Sequence, residues 1–220
     1  MLIGGLLLAI LAFCAFGLAG EVVDGDTQAF DERVLRALRD PQDPSVPIGP
    51  RWLRIAALDI TSLGGATVIG LAVAAIVGFL LLQGMSRTAL FVFLASAGGW
   101  LLNNGLKAVF ARPRPDVVPH LHEVMSLSFP SGHAMTSAAV YLTLGAMLMR
   151  ISERRLTKIY CMAIAMLATL LIGSSRVYLG VHYPTDVLAG WMIGMSWALL
   201  VWLIERRIER QAGMKKEQAK

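Results

Sequence analysis

A histidine and an aspartate placed four residues apart, His182 and Asp186, are the side chains in this sequence best suited to covalent chemistry. At that spacing the carboxylate can accept one imidazole N–H, which fixes the tautomer and raises the basicity of the other ring nitrogen. We therefore predict that His182 is a nucleophile supported by Asp186. A second histidine, His133, remains free to protonate a leaving oxygen and later to take a proton from an attacking water.

Three cations accompany these residues along the chain: Lys107, Arg114 and Arg176. Together they can surround an oxyanion, and each arginine can contact a phosphate through two N–H groups at once. Ser131 and Gly132 precede an apolar stretch, so their backbone N–H groups would lie at a helix start, where the helix dipole favours an anion. The predicted phosphate-binding residues are therefore Lys107, Arg114, Ser131, Gly132 and Arg176.

The segments that must position these side chains are too apolar for a water-soluble domain. Of the 220 residues, 56% are hydrophobic and 16% are charged, whereas roughly a quarter of the residues of a soluble domain are charged. Six stretches without charge approach the ~20 residues that a helix needs to cross a bilayer: 1–20, 63–82, 88–106, 134–149, 159–175 and 187–204. The sequence thus predicts an all-α fold, a bundle of six transmembrane helices.

The first stretch has a second interpretation, because a leucine-rich segment that ends in small residues also resembles a secretory signal. It lacks basic residues at its start, however, and it is long for the apolar part of a signal peptide. We expect a retained transmembrane helix. The arrangement of the other five stretches does not depend on this choice.

Basic residues indicate the orientation of the bundle. They are concentrated between the fourth and fifth stretches and again after the sixth, and short loops rich in Lys and Arg remain in the cytoplasm. The long connection 21–62 then lies on the outer side of the membrane, because it joins the first and second stretches.

That outer connection carries two semi-apolar segments. The first has polar residues, Asp31 among them, around an apolar helical face made of Phe30, Val34, Leu35 and Leu38, and the second begins at Trp52. This pattern predicts short amphipathic helices lying at the outer interface. A solvated linker with incidental periodicity is the alternative.

With six alternating spans, the residues suited to chemistry all fall at one end of the bundle. Lys107 and Arg114 follow the third stretch, His133 begins the fourth, and the segment 175–186 joins the fifth to the sixth. A single cation at a span end is usually an anchor that extends towards the interface. Three separate segments that bring cations, histidines and a carboxylate to one face instead indicate a functional site. We expect that site outside the cytoplasm.

The spacing of these residues resembles the three-part signature of the type-2 phosphatidic acid phosphatase and vanadium haloperoxidase superfamily. The three parts stand in this sequence as Lys107-x6-Arg114-Pro115, Pro130-Ser131-Gly132-His133 and Ser175-Arg176-x5-His182-x3-Asp186. The resemblance implies that His182 becomes phosphohistidine, Asp186 supports it, His133 acts as the acid, and the five predicted phosphate-binding residues hold the phosphate.

The resemblance also implies a class of substrate and a metal-free reaction. The haloperoxidases are soluble, so the apolar composition favours the membrane branch, which resembles bacterial phosphatases of undecaprenyl pyrophosphate or phosphatidylglycerophosphate. Three fixed cations can stabilise the transferred phosphoryl group as Mg²⁺ does elsewhere. We expect no metal, no other cofactor and no nucleic-acid partner.

The sequence therefore predicts one membrane phosphatase domain over 1–204, with its signature region at 107–186, and a basic cytoplasmic tail over 205–220. The expected activity is hydrolysis of the terminal phosphate of a membrane lipid phosphate or pyrophosphate, phosphatidate included, in the cell inner membrane. Phosphate transfer to an acceptor lipid is the alternative within the family. A transporter is disfavoured, because most spans lack ionisable residues at mid-membrane. Which lipid is the substrate, and the oligomeric state, stay open.

Overall fold

The protein is a bundle of eight α-helices in the computed structural model, which describes residues 2–124 and 126–218, with side chains up to residue 211. In chain order, the helices are α1 (Leu2–Asp24), α2 (Gln28–Ala37), α3 (Arg51–Ser62), α4 (Ala66–Leu82), α5 (Ser86–Phe110), α6 (Gly132–Ile151), α7 (Arg155–Tyr178) and α8 (Pro184–Gln218). The described residues contain no β-sheet, only an isolated bridge between Arg39 and Pro47. The predicted all-α class is confirmed.

Five of these helices, α1, α5, α6, α7 and α8, are each long and apolar enough to cross a bilayer. The remaining predicted span, the second stretch at 63–82, corresponds to α4, which has 17 residues and passes the same test only together with α3, from which it is bent by 47°. The chain is thus a multi-pass membrane protein with five spans, or six when the bent pair counts as one.

Apart from α4, which begins at Ala66 instead of residue 63, the membrane helices are longer than the charge-free stretches that predicted them. α5 continues to Phe110 and so contains Lys107, and α8 continues past residue 204 to Gln218. Lys, Arg and Glu are good helix formers, and their charged ends can extend towards water while the backbone remains helical. The predicted tail is therefore helical as far as it is described. Residues 219–220 lie outside the described residues, as does Met1.

The two semi-apolar segments of the first long connection form helices, as predicted. α2 is docked on the rest of the protein, because Leu35 is fully buried and packs with Val118 and Tyr183. Asp31 was expected on the polar side of this helix, but it too is fully buried. The expectation for Asp31 was wrong because Asp31 lies four residues before Leu35 and so shares its buried face, where polar partners from other segments pair with the carboxylate.

Helices α6 and α8 cross closely at small residues. A Cβ atom added at Gly190 would lie 2.8 Å from the carbonyl oxygen of Ser131, and one at Gly194 would lie 2.7 Å from the Cβ of Ala138. Glycine at these positions lets the two backbones approach. The close crossing brings the start of α6 against the start of α8, where the residues suited to chemistry are found.

Candidate active site

The predicted site residues meet at one end of the bundle. α5 ends there and leads into the loop 111–131, α6 begins there, and the short loop 179–183 joins α7 to α8. The backbone N–H of Ser131 donates to the carbonyl of Asp186 at 3.0 Å, which connects the start of α6 to the first turn of α8. Tertiary packing thus brings all three parts of the sequence pattern to one place.

His182 and Asp186 form the centre of this site, and both are buried, at 1% and 0% exposure. The Nδ1 atom of His182 lies 3.4 Å from Oδ2 of Asp186. The hydroxyl of Ser128 lies between them, 2.5 Å from the same carboxylate oxygen and 3.3 Å from Nδ1. Because a hydroxyl has one proton, Ser128 can donate to Asp186 and accept from the imidazole.

The other ring nitrogen of His182 lies near an arginine. Nη1 of Arg114 is 3.2 Å from Nε2 of His182. Because a guanidinium only donates, Nε2 is the acceptor and the ring proton belongs on Nδ1, which faces Ser128 and Asp186. Burial lowers the pKa of His182 to about 3, although the hydrogen bond and charge of Asp186 oppose this shift. The imidazole is therefore neutral near pH 7, with its Nε2 lone pair available for attack.

The predicted cations lie at the same end of the bundle. Burial lowers the pKa of Arg114 to about 10, so this side chain is still charged at neutral pH. Lys107 is 8% exposed, donates to the carbonyl of Leu127, and lies close to Gly132. Arg176 is 1% exposed and donates from Nη1 to the hydroxyl of Thr61 at 2.9 Å.

Two buried polar atoms at this site have no hydrogen-bond partner among the described residues: the Oγ of Ser131 and the Nε of Arg176. An unsatisfied buried polar group costs about 1–3 kcal/mol, so such atoms are rare and need an explanation. Ser131 also immediately precedes α6, whose first backbone N–H groups have no partner within the helix. A phosphate, which offers several acceptor oxygens, would satisfy these donors.

His133 lies in the first turn of α6 and is half-buried. It packs beside Gly64, where an added Cβ atom would lie 3.1 Å from Cδ2 of His133. Unlike that of His182, its side chain makes no hydrogen bond to the residues that the structure describes. The role of His133 as an acid therefore stays a prediction.

Four contributors to the site were missed by the sequence reasoning: Asp31, Arg112, Ser128 and Thr185. Nη1 of Arg112 donates to Oδ1 of Asp186 at 2.7 Å, and Nη2 donates to Asp31 at 2.9 Å. Arg112 lies within the first signature segment and Ser128 lies two residues before the second, and these positions were a usable signal. Thr185 lies within the third signature segment, whereas Asp31 had no such signal, because it reaches the site only through the docking of α2.

Comparison with known proteins agrees with this arrangement. The profile of the PAP2 superfamily matches residues 88–210. Phosphatidylglycerophosphatase B of Bacillus subtilis (strain 168) is 33% identical over 196 residues, which cover 88% of this chain and 92% of that protein. A lipid A 1-phosphatase of Rhizobium johnstonii is 30% identical over 129 residues, and the match covers 53% of this chain and 48% of that protein.

A solved structure extends the likeness to the fold. The crystal structure of a transmembrane PAP2-type phosphatidylglycerolphosphate phosphatase from Bacillus subtilis has a TM-score of 0.81 and 31% sequence identity, and the match covers 91% of this chain and 96% of that one. Profile, sequence and fold lead to the same assignment. The chain belongs to the PAP2 superfamily, as a multi-pass membrane protein that hydrolyses phosphoric esters.

Proposed function

We propose that the protein is a lipid phosphatase that removes the terminal phosphate of phosphatidylglycerophosphate. The phosphatase activity is best supported by two buried donors without a hydrogen-bond partner in the described part of the chain, on Ser131 and Arg176, in the same site as the neutral imidazole of His182. The choice of lipid is supported by the name of the Bacillus relative, with which this chain aligns over nearly its whole length. Phosphatidate and undecaprenyl pyrophosphate are the competing substrates to be tested.

The geometry supports a reaction in two steps. In the first, Nε2 of His182 forms a bond to phosphorus while the phosphorus–oxygen bond to the lipid breaks, and His133 gives its proton to the departing oxygen. In the second, water attacks the phosphohistidine, His133 takes the proton, and the phosphorus–nitrogen bond breaks to release inorganic phosphate. The cations stabilise the oxygens of the phosphoryl group in both steps.

The substrate should reach the site from within the membrane. The catalytic groups lie at helix ends, so a phosphate can be presented by a lipid whose tails remain in hydrocarbon. Anchoring confines the headgroup near the site, which lowers the entropic part of the barrier. We expect kcat/KM to rise steeply with chain length for substrates that carry the same headgroup.

A substrate panel tests this proposal. Phosphate release would be measured for phosphatidylglycerophosphate, phosphatidate and undecaprenyl pyrophosphate in mixed micelles, with His182→Gln protein purified in parallel as the control. The expected result is the highest kcat/KM for phosphatidylglycerophosphate. Equal values for long-chain and short-chain esters, or preference for a sugar phosphate, would contradict a lipid substrate. With ³²P-labelled substrate and an added acceptor lipid, recovery of the label on that lipid and not in inorganic phosphate would indicate transfer of the phosphate.

We further propose that the site faces the outer side of the cytoplasmic membrane, on the basis of the basic loop and tail. Cysteine labelling on intact cells tests this orientation after Cys14 and Cys161 have been replaced by alanine. A cysteine at Glu123, beside the site, should react with an impermeant thiol reagent, whereas one at Glu153, in the basic loop, should not. Both positions are exposed, so the reverse pattern would place the site in the cytoplasm.

A further inference from the structure

Arg112 bridges two buried carboxylates at the edge of the catalytic site. One arm of its guanidinium contacts Oδ1 of Asp186 at 2.7 Å, and the other contacts Oδ2 of Asp31 at 2.9 Å. The guanidinium also lies over the ring of Tyr183, 4.2 Å from its centroid. The Arg112 side chain is 10% exposed and both carboxylates are 0% exposed. Burial acts to lower the pKa of Arg112, but Asp186 and Asp31 outweigh it and raise that pKa.

Asp31 is held as firmly as Arg112. Its Oδ1 accepts from the backbone N–H of Thr185 at 3.1 Å, and its Oδ2 accepts from the Thr185 hydroxyl at 2.5 Å. Thr185 is 154 residues away in sequence and directly precedes Asp186. The carboxylate that fixes Arg112 therefore also fixes the first turn of α8, where Asp186 lies.

These contacts leave Asp186 with little freedom. Arg112 holds one carboxylate oxygen, while the other receives Ser128 and the backbone N–H of Tyr183, at 2.5 and 2.9 Å. The distance from that second oxygen to His182 is longer, at 3.4 Å, so the histidine does not itself hold the carboxylate. The orientation of Asp186 is therefore set by Arg112, Ser128 and the backbone of Tyr183, and not by the nucleophile.

We propose that Arg112 and Asp31 are positioning residues that hold Asp186 in the orientation which keeps the proton of His182 on Nδ1. This inference rests on the proposed function, because it takes His182 as the nucleophile. The planar fork of arginine can reach two carboxylates at once, whereas lysine offers a single point of charge. Through Asp31, helix α2, which lies outside the spans, thus helps to set the tautomer of the nucleophile.

The test uses Arg112→Lys, Arg112→Gln and Asp31→Asn with p-nitrophenyl phosphate, a substrate whose turnover does not depend on lipid recognition. We expect kcat to fall by about 10-fold to 100-fold, as small misplacements of catalytic groups do, while KM and the inhibition constant of inorganic phosphate change little. The phosphate-binding cations are untouched in these variants. The double variant Asp31→Asn/Arg112→Gln should lose less than the product of the single losses, since the two residues act as a unit.

A second readout needs no substrate. In protein labelled with ¹⁵N at histidine, the ring shifts of His182 report which nitrogen carries the proton, and the His182→Gln spectrum assigns its signals. We expect the Nδ1–H form in the parent protein and a mixture of tautomers in Arg112→Lys. This measurement tests the positioning role of Arg112 separately from the proposed function. If the parent protein released no phosphate from any lipid, the proposed function would be overturned, but the tautomer result would stand.

The matched control is another ion pair on α2. Arg36 and Glu32 lie 2.9 Å apart, but the Arg36 side chain is 63% exposed, and Glu32 is the partner of its side chain among the described residues. Arg36→Gln should leave kcat and the His182 tautomer unchanged. A lower melting temperature with unchanged kcat and tautomer in the Arg112 and Asp31 variants would overturn the proposal. The proposal would also be overturned if all three variants failed to fold, since Arg112 and Asp31 would then be needed for stability of the fold.

Discussion

Nη1 of Arg114 lies 3.2 Å from Nε2 of His182, the ring nitrogen that faces away from Asp186. Since the guanidinium cannot accept a hydrogen bond, this contact and the Asp186 carboxylate on the other side both favour the same tautomer. Arg114 also donates to the hydroxyl of Ser126 at 3.0 Å, so its position does not depend on the histidine. In the proposed reaction the N–H that now points at Nε2 would turn to a phosphate oxygen.

The first prediction concerns the charge of His182. Because burial lowers its pKa to about 3, the ring should stay neutral as the pH is lowered from 8 to 5, whereas an unperturbed histidine gains a proton near pH 6.5. A ¹⁵N NMR titration of labelled protein in micelles measures this directly. A midpoint near 6.5 for the His182 signals would contradict the prediction.

The second prediction concerns the covalent intermediate. His182→Gln should abolish both turnover and the acid-labile, base-stable phosphate label that the parent protein acquires from ³²P-labelled substrate, because the attacking atom is gone. Asp186→Asn should keep measurable activity, because it removes charge and orientation only. Persistence of that label in folded His182→Gln protein would refute the assignment of the nucleophile.

The third prediction concerns the hydroxyl between His182 and Asp186. Ser128→Ala removes the 2.5 Å donor to Oδ2 of Asp186 and leaves that oxygen with the backbone N–H of Tyr183. The loss of a hydrogen bond to a charged group costs about 1.5–3 kcal/mol. If that cost falls on the transition state, kcat should decrease roughly 10-fold to 100-fold. Steady-state kinetics with any substrate that the parent protein hydrolyses would measure this decrease in kcat.

Ser137→Ala provides the comparison for Ser128→Ala. Ser137 is also fully buried, but its hydroxyl donates to the carbonyl of Ala134 within its own helix at 3.1 Å. Its removal should leave kcat near that of the parent protein. Equal losses in the two variants would mean that the Ser128 effect is one of packing.

The fourth prediction concerns the break between α3 and α4. An added Cβ at Gly64 would meet the side chain of Ile172 and would lie 3.1 Å from Cδ2 of His133. Gly64→Ala should therefore destabilise the fold by about 1–3 kcal/mol and reduce kcat by displacing His133. Thermal unfolding in detergent and steady-state kinetics measure the two effects.

Gly70→Ala is the matched change within α4, because no atom lies within 4 Å of the added Cβ. In a helix interior, alanine is favoured over glycine by about 0.5–1 kcal/mol, so this variant should melt no lower than the parent protein and keep its activity. A Gly64→Ala variant with unchanged melting temperature and kcat would show that the break tolerates a side chain.

The order of the elements followed from local properties of the sequence. Long apolar stretches predict membrane helices wherever they occur, and α2 was visible from the spacing of Phe30, Val34, Leu35 and Leu38. The residues gathered at the site were also recognisable in part, because the types and spacing of His182, Asp186 and the three cations suit phosphate chemistry whatever their surroundings. The helix ends were less predictable, since backbone hydrogen bonding continues through charged residues such as those after residue 204.

The sequence by itself thus determined the helical membrane fold and the chemistry-bearing groups, whereas the tertiary structure decided how those groups are held. Asp31 and Thr185 are 154 residues apart, and no local pattern encodes a contact over that distance. The hydroxyl of Ser128 belongs to the site only because the loop 111–131 places it between His182 and Asp186. Periodicity and composition report what a segment does with its own neighbours, while the tautomer of a buried histidine depends on donors and acceptors contributed by distant segments.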